Sequence, residues 1–128
     1  MNKNNSKKTP TTTEDLIARG GFMISKMRPD TVALIETTVG VLYTLRLVDP
    51  ITNLIHFTST DEGMRQSGPQ PCHFSSSWTD RTGRIAIRDW VIKDCMFLLK
   101  FKHEGWLSHP VRSCLLEAPN WKYEVISP

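Results

Sequence analysis

The chain has 128 residues, enough for one domain and short for two. It is 39% hydrophobic and 23% charged, as globular proteins are, and no apolar run approaches the roughly 20 residues that span a bilayer. The net charge of +3 equals the three lysines of the first thirteen residues, Lys3, Lys7 and Lys8, so the remainder is balanced and net charge marks no basic nucleic-acid surface on the domain.

Residues 1–13 are polar and basic, and they read as a disordered tail ahead of a single β domain over 14–128. With no apolar stretch behind the first lysines, no secretory leader is read and the expected compartment is the cytoplasm. Three cysteines at wide spacing, Cys72, Cys95 and Cys114, read as free thiols, with Cys95 a small core residue in an apolar strand.

A short helix is expected first. Thr11 or Thr12 can cap it, Glu14 and Asp15 suit its first turn, and Gly20 and Gly21 stop it.

From Thr31 the hydrophobic period changes to two, and a three-strand meander follows at about 32–38, 41–48 and 54–60. A turn centred on Val39 and Gly40 sets Val32 opposite Leu47 and Leu34 opposite Leu45. A five-residue loop over 49–53 sets Leu47 opposite Ile55, Leu45 opposite Phe57 and Arg46 opposite His56.

Residues 61–83, rich in Gly, Pro and Ser, break the alternation and read as one long loop, either functional or disordered. Phe74 and Trp78 suggest that it folds back onto the domain. Alternation resumes at Arg84, where Arg84, Ala86 and Arg88 share a strand face with Trp90 next along it. A turn near His103 to Trp106 follows. A three-residue loop at 104–106 would keep an apolar face intact by setting Leu99 opposite Val111 and Cys95 opposite Leu115. Pro110 marks an edge or a bulge. Ala118, Pro119 and Asn120 turn the chain into a last strand in which Trp121, Tyr123 and Val125 alternate with Lys122 and Glu124. The expected class is mainly β, a small antiparallel β-barrel or sandwich of about six or seven strands with one short N-terminal helix.

No strong catalytic motif is present: the chain lacks a Gly-rich phosphate loop, HExxH, CxxC and GxSxG. Cys72 and His73 are adjacent, so on a strand they point to opposite faces and cannot easily share an ion. Ser75, Ser76 and Ser77 lie beside His73 without a third group to orient it. No cofactor and no metal are therefore expected.

Charge is segregated. Residues 30–80 carry a net −4 and residues 81–102 a net +4, which favours oriented association with a partner or another copy. Tryptophans at 78, 90, 106 and 121 add the residue type that dominates interface hot spots. The reading is a non-catalytic interaction module that binds protein or forms a homo-oligomer, with no membrane role. The alternative is a small nucleic-acid-binding barrel using the Arg84, Arg88 and Trp90 face, and the third an enzyme. The candidate binding residues are Arg65, His73, Trp78, Arg81, Arg84 and Arg88.

Overall fold

The computed structural model describes residues 21–61, 63, 70–75 and 90–127. They form ten strands: β1 (Gly21–Met23), β2 (Val32–Thr37), β3 (Leu42–Asp49), β4 (Leu54–Ser59), β5 (Gln70–Ser75), β6 (Trp90–Ile92), β7 (Leu98–Lys100), β8 (Gly105–Leu107), β9 (Val111–Ala118) and β10 (Trp121–Ile126). Eight make one antiparallel sheet in the order β10-β9-β2-β3-β4-β5-β7-β8, and β1 pairs with β6 in a sheet of two. The class is mainly β and antiparallel. The barrel expected from sequence is not closed, and the strands outnumber the six or seven expected. Among the described residues there is no α-helix; 3-10 structure occurs at Ile24–Lys26 and at Gly63. The expected helix and basic tail lie outside the described residues, as does the strand expected at 84–88.

The sheet curls. Trp106 in β8, at one edge, donates its indole N–H to the Tyr43 hydroxyl in β3 at 3.1 Å, although three strands separate β3 from β8 in the sheet. Inside the curl Phe97 lies edge-on to Tyr43 at 5.0 Å and stacked on Phe74 at 5.2 Å. Ala33, Ile35, Leu45, Ile55, Phe57, Phe74, Leu99 and Cys114 point inward from six strands, and Phe22 and Val91 from the small sheet complete the core. Each large side chain buried here contributes about 1.5–3 kcal/mol.

The β3–β4 register agrees with the sequence: Leu47 opposes Ile55, Leu45 opposes Phe57 and Arg46 opposes His56. The turn is fixed locally. The Asp49 carboxylate accepts from the Ile51 N–H at 3.0 Å and the Thr52 hydroxyl at 3.1 Å, and Asn53 takes φ 59°. Asn tolerates that left-handed conformation.

The β2–β3 register is one residue away from the expected one. Val32 opposes Arg46, Ala33 opposes Leu45 and Ile35 opposes Tyr43. The connection is a three-residue loop over Thr38, Val39 and Gly40, closed by Gly40 N–H to the Thr37 carbonyl and Thr37 N–H to the Val41 carbonyl. Gly40 sits at φ +88°, the left-handed position that such a loop reserves for glycine. The slip moves Ala33 and Ile35 into the core and leaves Val32 and Leu34 half-buried on the outer face.

Other expectations are corrected as well. Gln70–Ser75 is a strand, β5, inside the expected loop 61–83. The β7–β8 turn lies at Lys102 and His103 and sets Leu99 opposite Trp106 in place of Val111. The 111–118 segment instead crosses the sheet to pair with β2, Ile35 opposite Cys114. Cys95 is half-buried between β6 and β7, outside any strand. Pro110 does stand at an irregularity: its carbonyl accepts from Thr38, next to the bulge between β2 and β9.

Candidate functional site

The two ends of the sheet are built differently. At the β7–β8 end, polar groups are matched. The buried Ser108 hydroxyl accepts from the Phe97 N–H at 2.9 Å and donates to the His109 carbonyl at 2.8 Å, while the Ser108 N–H donates back to the Phe97 carbonyl.

At the other end the chain leaves β1 through the 3-10 turn and the bend at 27–31, which lies against the β9–β10 hairpin. Between them runs an open groove of about 460 Å³, lined by Lys26, Met27, Arg28 and Thr31 on one side and Leu116, Trp121, Lys122 and Tyr123 on the other. A hollow of about 180 Å³ adjoins it, sharing Lys26, Met27, Leu116 and Tyr123 and reaching Phe22 and Val125.

The hairpin positions the aromatic wall. Pro119 and Asn120 make a two-residue turn, so Trp121 opposes Ala118 and Tyr123 opposes Leu116 on the sheet face that looks into the groove. The alternate positions carry Lys122 opposite Glu117, with Nζ and Oε2 3.6 Å apart, and Glu124 opposite Leu115, and of these two Lys122 also borders the groove. The Arg28 guanidinium sits 5.8 Å from the Trp121 ring centroid, a cation–π distance. Tyr123 is 55% exposed. Thr31, 2% exposed, lines the groove and its hydroxyl oxygen has no hydrogen-bond partner. Three cations and no carboxylate line the groove among the described residues. Trp, Tyr, Arg and Met, gathered here, are the types enriched in protein interfaces.

Compared with known families, curated proteins and solved structures, the chain matches none.

Of the residues singled out from sequence, Arg65, Trp78, Arg81, Arg84 and Arg88 lie outside the described residues. His73 is exposed on the outer face of β5, opposite Leu54 and Lys100 and remote in sheet order from the groove. Trp90 is 1% exposed in β6 with its indole N–H unpartnered, so it offers no stacking platform to a base. The sequence did show Trp121 and Tyr123 on one strand face. Nothing local in it points to Arg28 lying over Trp121, more than ninety positions away, where the two residues line the same groove.

The thiols are held protonated. Burial pushes Cys72 up to about 12 and raises Cys114 as well, and burial together with the Asp94 carboxylate raises Cys95. Burial also raises Tyr43, helped by Asp61 and opposed by hydrogen bonds from Trp106 and Ser59. A thiolate nucleophile needs the opposite shift. Among the described residues no three His, Cys, Asp or Glu side chains gather as a metal site would require.

Proposed function

We propose that the chain is a non-catalytic interaction module that binds protein through the edge strand β10 and the groove beside it. The observation that carries this reading is the pairing of a strand edge that no other described strand covers with an aromatic, basic groove on the same strand. An unpaired edge offers backbone donors and acceptors to another strand, and pockets beside it read side chains. The opposite edge is a poorer acceptor. β8 has three residues, and its Trp106 is held by Tyr43. Short edges are one way that proteins avoid unwanted pairing. The raised thiol pKa values support a binding role over thiol catalysis.

The test places a photoreactive benzoylphenylalanine at position 123 of the full chain, with irradiation in the expressing cell. A discrete adduct that is protease-sensitive and nuclease-resistant, and that weakens with Trp121→Ala, is the expected result. An adduct removed by nuclease would favour the nucleic-acid reading, and no adduct at all would overturn the proposal.

A further inference from the structure

We propose that the strand accepted by β10 is β10 of a second copy, in one definite antiparallel register with Tyr123 on the twofold axis. This rests on the reading of β10 as the acceptor edge and names its partner.

Backbone phase limits the choice. The two-residue turn makes Ala118 and Trp121 the closing pair of the β9–β10 hairpin, and such a pair exchanges hydrogen bonds. Alternation then commits the backbone groups of Trp121 and Tyr123 to β9, and Lys122 and Glu124 turn theirs outward. Two copies can join only where outward residues meet. Beyond Glu124 the strand bulges, and Val125 and Ile126 are both buried. Three in-phase registers therefore remain. One sets Lys122 against Lys122, and another sets Glu124 against Glu124. The third sets Lys122 of each copy against Glu124 of the other and brings the two Tyr123 rings together.

Charge decides among them. Like charges directly opposite destabilise a sheet, and opposite charges support it. Only the third register is complementary, and it is so twice, because a twofold interface repeats every contact. Tyr123 becomes a non-hydrogen-bonded pair, the kind whose side chains lie closest. Lys122, Tyr123 and Glu124 are all exposed in the single chain, and no other described strand pairs with β10 on that side. The Lys122–Glu117 contact is solvated on both sides and does not hold Lys122 back.

The experiment is sedimentation velocity on the full chain across a concentration series, with two single charge reversals. The unsubstituted chain should reach a dimer. Glu124→Lys and Lys122→Glu should each weaken dimerisation on the order of tenfold, since each sets like charges together twice. An equimolar mixture of the two variants should recover dimer, because every cross-pair is then of opposite sign. A chain that stays monomeric, a dimer indifferent to both reversals, or a mixture that recovers nothing overturns the proposal.

A cysteine scan reads the register without relying on those variants folding well. Under mild oxidation Tyr123→Cys should crosslink far more than Lys122→Cys or Glu124→Cys, measured above the background of the native thiols. About 4.5 Å between paired Cα atoms suits a disulfide. Strongest crosslinking at 122 or 124 contradicts the register. A monomer that still photocrosslinks a different protein at position 123 sinks self-pairing alone and leaves the interaction reading standing.

Discussion

The β7–β8 end and the β9–β10 end belong to one sheet and use similar residues to opposite effect. At the first, Trp106 and Tyr43 satisfy each other, Phe97 is 1% exposed, and Ser108 closes its own hydrogen-bond circuit. At the second, Trp121 is half-buried, Tyr123 is open, and the buried Thr31 hydroxyl lacks a partner. An aromatic cluster with matched polar atoms stabilises the fold. One with open faces, on an edge that no other described strand covers, leaves groups available for the association proposed above.

Substitutions should separate the two ends. Phe97→Ala should cost the most, about 3–5 kcal/mol of stability by denaturant unfolding, because it empties the space between Tyr43 and Phe74. Ser108→Ala follows at about 1–3 kcal/mol, since the Phe97 N–H loses its acceptor in a buried site.

Alkaline pH comes next. An unfolded thiol ionises near its ordinary value of 9.0, while folded Cys72 keeps its proton to about 12. Above pH 9 the folded chain thus binds more protons than the unfolded one, so stability falls as pH rises, by up to about 1.4 kcal/mol per pH unit for each such group. Cys72→Ala should flatten that slope between pH 9 and about 12.

Trp106→Phe, which removes the hydrogen bond to Tyr43, should cost about 0.5–1.5 kcal/mol. Tyr123→Ser should be the mildest, within about 0.5 kcal/mol of the parent, yet it should impair dimerisation while Trp106→Phe leaves dimerisation intact. Equal stability losses at the two ends would erase the distinction.

The contrast was only half legible in the sequence. The β3–β4 register was readable because Asp49 and Asn53 carry the turn chemistry in their own side chains. The β2–β3 register differs from the sequence expectation by one place, because Val39 and Gly40 fit a two-residue turn on composition while the backbone needs Thr38 in the loop and Gly40 alone at positive φ. One such slip exchanges the faces of a whole strand. The crossover that puts β9 beside β2 carries no local signal, because it joins segments some eighty positions apart. The groove depends on that crossover, so it too was hidden. The aromatic alternation of β10 was visible, but Arg28 and Thr31 were not.

The most direct test is residue-resolved amide hydrogen exchange in dilute and concentrated samples of the full chain. The Lys122 and Glu124 amides should exchange freely when dilute and slow markedly when concentrated, while the Phe97 and Ser108 amides stay equally protected in both. Exchange at Lys122 and Glu124 that does not change with concentration would contradict the claim that the open edge pairs with its own copy.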